Sequence, residues 1–196
     1  MARVDAAERR IGIIYASSRD GWIGIGGVMP WRSPEDMAYF KERTWGHPVI
    51  IGQRTWESIP ESFRPFRGRT TVVLSTSAEH AAQVEAAGAL AATSLPRALD
   101  LADGAEGSEV VWVAGGGQVY RQALEAGLVD VALVTVLDVL VPDGDTAAPV
   151  LGPDFELVSA SPTPAGFHTS PTGPDYRFEV WRRTAPAHLD REAPAA

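Results

Sequence analysis

The chain has 196 residues, 45% hydrophobic and 21% charged, which suits one compact domain with a sizeable core and is short for two. Its formal net charge of −8, with no basic patch, argues against a nucleic-acid binder, and the absence of cysteine excludes disulfides, thiolate catalysis and cysteine metal sites. His47, His80, His168 and His188 are scattered, so no metal site is expected; with no run of about 20 apolar residues and no apolar signal core in residues 1–10, a cytoplasmic protein without membrane contact is expected.

Residues 1–10 and 184–196 are polar or rich in Ala, Pro and charge, and read as tails that cannot bury an apolar face. Between them, residues 11–183 form one domain without a repeat or a low-complexity linker. Residues 11–17 are an apolar run ending at the Asp20-Gly21 turn signal, and a glycine-rich loop, residues 21–30, follows. Ser33 is a candidate N-cap for a helix with Pro34 at its first position and Glu35 and Asp36 in its first turn; Gly46 and Pro48 stop it. Val49-Ile50-Ile51-Gly52 reads as a short buried strand, followed by a brief helix at 55–58 and another strand at 71–74.

Residues 75–90 read as a long Ala-rich loop, and a helix is expected at 95–102. The run 110–114 reads as a buried strand that enters Gly115-Gly116-Gly117 and then a helix at 118–126. Strands are expected at 129–137, 155–161 and 176–181. Apolar strands alternating with helices imply right-handed crossovers and a mainly parallel sheet, and the two late strands, with no helix between them, fit an antiparallel edge.

Three places could carry chemistry. Ala114-Gly115-Gly116-Gly117-Gln118 joins a buried strand to a helix N-terminus, where unpaired N–H groups and a close backbone approach suit a phosphate; a tight structural turn is the plainer reading. Gly24-Ile25-Gly26 lacks the third glycine and the helix of a dinucleotide fingerprint and is rejected. Asp36 alone reads as a helix-dipole partner completing a cap with Ser33, yet a carboxylate against apolar walls could also grip an amidine-like heterocycle through paired hydrogen bonds. Arg54, Arg64, Arg67 and Arg69 cluster near two strand ends, as surface charges or as a site for carboxylates or phosphates; Thr76 could donate to a phosphate.

Five blocks in order and in register turn these local readings into one. They are Ile23-Gly24 through Met29-Pro30-Trp31 with Pro34-Glu35-Asp36-Met37 and Phe40-Lys41; Pro48-Val49-Ile50-Ile51-Gly52 with Thr55-Trp56-Glu57-Ser58-Ile59-Pro60; Gly68-Arg69 before Val72-Val73-Leu74-Ser75; Ala114 to Tyr120; and Gly144-Asp145-Thr146. Together they resemble the bacterial, chromosomal-type dihydrofolate reductases over residues 11–183. The resemblance implies a single-domain α/β fold with a mainly parallel eight-stranded sheet, an antiparallel C-terminal edge strand and flanking helices. It also implies NADPH-dependent reduction of 7,8-dihydrofolate, binding of antifolates, and a monomer.

Carried over residue by residue, Asp36 resembles the carboxylate that binds the pterin, Thr135 the threonine bonded to it, and Trp31 the tryptophan that holds a water, with Met29 on the loop above and Tyr120 completing the catalytic set. Ile14, Tyr15, Met37, Phe40, Ile59 and Phe66 would line the substrate pocket, and Arg69 would pair with the glutamate carboxylate of folate. Ala16, Ile23, Gly24, Gly52, Arg54, Thr55, Leu74, Ser75, Thr76, Ala114, Gly115, Gly116, Gly117, Gln118, Val119 and Tyr120 would hold NADPH, with a cis peptide bond between Gly115 and Gly116.

The chain departs from the family pattern in places. Gln53 and Gln118 stand where many relatives carry basic residues, Ala147-Ala148 replaces an aromatic, and Ser33 replaces a common hydrophobic residue. The riboflavin-pathway pyrimidine reductase, of the same fold, and a non-catalytic nucleotide- or antifolate-binding protein are the rivals; the Pro30-Trp31 and Pro34-Glu35-Asp36 signature argues against the first, and Asp36, Thr135, Trp31 and the glycine triplet against the second.

Overall fold

The computed structural model describes residues 9–184; the expected tails, 1–8 and 185–196, lie outside the described residues. Strand β1 (Arg10–Ser18) starts the fold, with Arg9 already buried and ion-paired to Asp103. Strand β2 (Trp22–Gly24) lies inside the glycine-rich loop. Helix α1 (Pro34–Thr44) begins at Ser33, whose Oγ accepts the Asp36 N–H at 3.2 Å. Then come β3 (Val49–Gly52), α2 (Gln53–Ser58), a 3-10 turn (Glu61–Phe63) and β4 (Thr71–Leu74). Helix α3 (Ala78–Ala86), β5 (Leu90–Ala92), α4 (Leu95–Asp103), β6 (Val110–Val113) and α5 (Gly117–Glu125) follow. The chain ends in β7 (Val131–Leu137), β8 (Thr146–Ala147), β9 (Phe155–Ser161) and β10 (Tyr176–Arg183).

Residues 75–90 are not a loop. Ser77 caps α3 by accepting the His80 N–H, just as Ser94 caps α4, and β5 follows as a three-residue edge strand. The helix was hard to read because it buries only His80 and Val84, so an Ala-rich segment showed little apolar periodicity. The sheet runs β5-β4-β3-β6-β1-β7-β10-β9, with all neighbours parallel as far as β7. The C-terminal strand β10 is antiparallel to β7 and to β9; it lies one place in from the edge, which β9 occupies.

A parallel sheet must be covered on both faces, and alternation along each strand supplies the two cores. On β3, Ile50 joins Ile13, Val113, α4 and α5 on one face, while Val49 and Ile51 join Ile14, Trp112, Leu133 and Tyr39 of α1 on the other. The chain leaves β1 by α1 in one direction and β6 by α5 in the other. A crevice therefore opens at the carboxyl ends of the adjacent strands β1 and β6, the topological switch point where ligands of such sheets bind.

Gly12 shows how tightly these strands and their side chains fit. A Cβ there would lie 2.3 Å from Cζ3 of Trp112, whose ring is buried beside it. We expect Gly12→Ala to destabilise the fold by about 1–3 kcal/mol, the usual cost of overpacking. In urea unfolding the midpoint should fall with an unchanged slope; an unchanged midpoint would show that the ring can move aside.

Candidate active site

Asp36 stands in the first turn of α1, at the crevice. Met29, Trp31, Arg32, Ser33, Asp36 and Met37 line a pocket of about 150 Å³ there. Burial pushes the Asp36 carboxyl above the usual carboxylate range; a hydrogen bond from Thr135 acts the other way and is the smaller effect. Thr135 is itself fully buried on β7, beside Ala16 of β1 in the strand register. The indole N–H of Trp31 is buried in the same wall with no hydrogen-bond partner among the described residues. Here, then, are a carboxyl biased toward its neutral form, a hydroxyl that orients it, and a free donor. The chemistry they can do is to hold a polar heterocycle and move a proton.

The apolar side of the cleft is built by α1 and the segment before β4. Phe40 and Phe66 meet edge to face at 5.4 Å, and Ile59 packs on the same core cluster as Ile14. The Arg69 guanidinium lies 4.9 Å from the Phe66 ring centroid and 5.6 Å from that of Phe40. It donates to the Thr44 hydroxyl at 3.0 Å and to the Arg67 carbonyl at 3.2 Å. Met29 and Met37 remain more than half exposed at the mouth.

On the other side of the crevice the Gly115–Gly116 peptide is cis, and the Gly115 carbonyl accepts the Gly52 N–H at 2.7 Å. Gly115 has φ +126°, a conformation that side chains oppose, and Gly116 caps α5 without any side-chain hydrogen bond. Cβ atoms on Gly115 or Gly116 would each come within 3.2 Å of Thr55 Oγ1, and one on Gly117 would lie 3.9 Å from Ile23. The glycines, Thr55 and Ile23 thus form a cradle in front of a helix N-terminus, suited to an anion.

The family model described as dihydrofolate reductase matches residues 10–183. The chain belongs to the dihydrofolate reductase family. It is 44% identical over 143 residues to the dihydrofolate reductase of Mycobacterium tuberculosis (strain ATCC 25618 / H37Rv), covering 72% of this chain and 81% of that one. The Mycobacterium leprae (strain TN) enzyme is 42% identical over 176 residues, covering 89% and 98%. Among solved structures, a dihydrofolate reductase from Enterococcus faecalis complexed with NADP(H) and RAB-propyl superposes with a TM-score of 0.75 at 28% identity, covering 90% of this chain and 97% of that chain. The pyrimidine-reductase alternative is not favoured by these likenesses.

Not every expected reductase residue meets the cleft by its side chain. Tyr15 follows Ile14 on β1 and so points to the opposite face, where its ring lies 5.6 Å from that of Tyr120. Tyr120 is buried, and its hydroxyl donates to the Ile14 carbonyl at 2.8 Å; burial drives its pKa far upward. Arg54, Thr76 and Gln118 are exposed around the strand ends, Ser75 is buried, and Leu74 and Ala114 are half-buried.

A clamp on the glycine-rich loop carries no local signal in the sequence. Asp145 accepts the Gly26 N–H at 2.7 Å and the Thr146 hydroxyl at 2.8 Å, and its own N–H bonds the Gly24 carbonyl at 3.2 Å. Glu35 accepts from Ser170 Oγ at 2.7 Å and ties the segment before β10 to the start of α1. A larger cavity, about 220 Å³ beside Leu124, Phe155 and Arg183, contains none of the expected site residues.

The raised Asp36 pKa means that its charged form is penalised in the folded state. Above the folded pKa that penalty is fully present; it fades as pH falls toward the ordinary carboxylate value. Asp36→Asn, which removes the charge and keeps the shape, is expected to raise Tm at neutral pH by roughly 2–4 °C, the shift that about 1 kcal/mol gives a domain of this size. The gain should vanish in acid. A lower Tm at neutral pH would show that the carboxylate stabilises the fold.

Proposed function

We propose that this chain reduces 7,8-dihydrofolate to 5,6,7,8-tetrahydrofolate with NADPH, through one catalytic domain over residues 11–183, and that Asp36 handles the proton. The observation that carries the reading is the buried Asp36 carboxyl, bonded by Thr135 and set beside the unpartnered Trp31 N–H. When bound, NADPH supplies the hydride, which adds to pterin C6 while N5 gains a proton. Asp36 offers the pterin amino group and ring nitrogen a paired hydrogen-bond acceptor, and its charge favours the N5-protonated substrate. The Trp31 N–H is free to hold a water beside that carboxyl, and Met29 lines the same pocket at its mouth.

Ile14, Phe40, Ile59 and Phe66 supply flat apolar walls for the pterin and aminobenzoyl rings. Arg69 suits the α-carboxylate of the glutamate tail, because its protein hydrogen bonds use only neutral oxygens. The coenzyme fits the opposite side. The cradle of Gly115, Gly116 and Thr55 admits a pyrophosphate against the uncapped start of α5, and Arg54 and Thr76 offer donors to the 2′-phosphate. We read the protein as a monomer working in the cytoplasm; among the described residues no helix is long and apolar enough to cross a membrane.

The first test is the dihydrofolate-dependent loss of reduced-nicotinamide absorbance with purified protein. No such loss would end the proposal. With activity in hand, Asp36→Asn is expected to lower turnover by roughly 10²- to 10⁴-fold at neutral pH, the usual worth of a positioned acid–base group. In wild type the rate should fall as pH rises and the N5-protonated substrate is lost. In the variant, acid should restore part of the rate, because solution then protonates the substrate; near-wild-type neutral activity would exclude the role.

Gly115→Ala probes chiefly the coenzyme side. Its methyl group would meet Thr55 at 3.2 Å and the Tyr120 hydroxyl at 3.5 Å, at a φ of +126°. We expect the NADPH Kd to rise roughly tenfold, in line with about 1–3 kcal/mol of local strain, and folate affinity to change little. An unchanged NADPH Kd by fluorescence titration would remove the glycine cradle from the site.

A further inference from the structure

Gln53 opens α2 at the carboxyl end of β3, and Ser75 follows the end of the neighbouring β4. Ser75 Oγ donates to Gln53 Oε1 at 3.0 Å, and Gln53 Nε2 donates to Glu57 Oε1 at 2.8 Å. The same Glu57 oxygen lies 3.6 Å from Nε2 of His80 on α3, a buried ring. Glu57 sits one turn after Gln53, with a side chain about half exposed; Gln53 holds its carboxylate, and the His80 ring of α3 approaches it. Arg54 and Thr76, each exposed, directly follow Gln53 and Ser75 in the chain. Gln53, neutral already, has its carbonyl and one amide N–H committed to protein partners.

We propose that Glu57 is a coenzyme-selectivity residue: tethered by Gln53 and approached by His80, it fixes a negative charge beside the corner that takes the nucleotide 2′-phosphate and so holds down the preference for the phosphorylated coenzyme. The inference rests on the reading that Arg54 and Thr76 receive that phosphate. The physical basis is repulsion between two anions, which salt screens over a Debye length of about 8–10 Å at ordinary ionic strength. Such an effect is modest, and salt weakens it. A nucleotide without the 2′-phosphate has no charge there to feel it.

The test is calorimetric titration of the coenzyme-free protein with adenosine 2′,5′-bisphosphate and with 5′-AMP. Glu57→Gln keeps the size of the side chain and an acceptor for the Gln53 amide while removing the charge. It is expected to tighten the bisphosphate three- to tenfold at low salt, to leave 5′-AMP within about twofold, and to lose most of the gain near 1 M salt. The ratio of kcat/KM for NADPH over NADH should rise by a similar factor.

Glu57→Ala serves if the glutamine variant fails to fold, as judged by its melting transition. An unchanged bisphosphate-to-AMP ratio, equal tightening of both nucleotides, or a gain that survives high salt would each overturn the proposal. Arg54→Ala distinguishes the two levels of the argument. If it does not loosen the bisphosphate, the underlying placement of the phosphate fails; if it does and the Glu57 variants change nothing, only the role of Glu57 fails.

Discussion

Taking a carboxylate out of water is costly, and a buried one without partners takes up a proton instead of keeping its charge. Asp36 is held between those outcomes, and much of the local structure is what holds it there. Its backbone N–H is tied by Ser33, so α1 must start where it does, with Pro34 in a position that needs no donor. The first turn of a helix favours negative charge, which offsets part of the desolvation. Thr135 on β7 offsets a further part with its hydroxyl, which an isosteric valine would not supply. Those two elements meet only because α1 crosses from β1 to β3 over that face of the sheet.

The elements legible in the sequence were those whose signal is local. Val49 to Gly52 and Val110 to Val113 are short apolar runs bounded by Gly or Pro, and Ser33-Pro34-Glu35-Asp36 carries a complete helix start within four residues. What escaped depends on distant partners. Strand β2 exists because Trp22 and Gly24 pair with Ala147 and Thr146, and its loop is clamped by a carboxylate 119 residues further along the chain from Gly26. The side-chain direction of Tyr15 is a different case. Strand alternation already requires Ile14 and Tyr15 to face opposite ways, so once Ile14 is assigned to the Asp36 side, Tyr15 cannot join it. At Gln53 the missing positive charge was plain in the sequence, but only the fold brings Ser75 and Glu57 to its two ends.

The two sides of the crevice are coupled through hydrogen bonds to backbone carbonyls. Ile14 packs on the α1 face of the sheet, yet the hydroxyl that fixes its carbonyl comes from Tyr120 in α5, the helix whose start forms the glycine cradle. The Gly115 carbonyl is in turn held by the N–H of Gly52, at the end of β3. Hydride transfer needs donor and acceptor carbons held within a narrow range of separation, and a distance set by strand ends drifts less than one set by exposed loops. The exposed methionines, Met29 and Met37, lie at the mouth, where movement affects entry of ligand more than alignment of the reacting atoms.

Arg69 meets the same loss of water by a different route. Burial disfavours its charge, as it does that of Asp36, and lowers its pKa. An arginine starts so far above neutrality, however, that no such shift discharges it, whereas a carboxyl starts close enough to be tuned. Stacking over Phe66 and Phe40 fits a planar, weakly hydrated cation, and it leaves the in-plane N–H groups free to donate. A lysine in that position would lose the stacking and the fixed donor directions, and its strongly hydrated ammonium would resist the apolar walls. One cleft can therefore hold a permanent charge for anchoring and a titratable group for chemistry under the same desolvation, because the two side chains start at opposite distances from the pH at which they work.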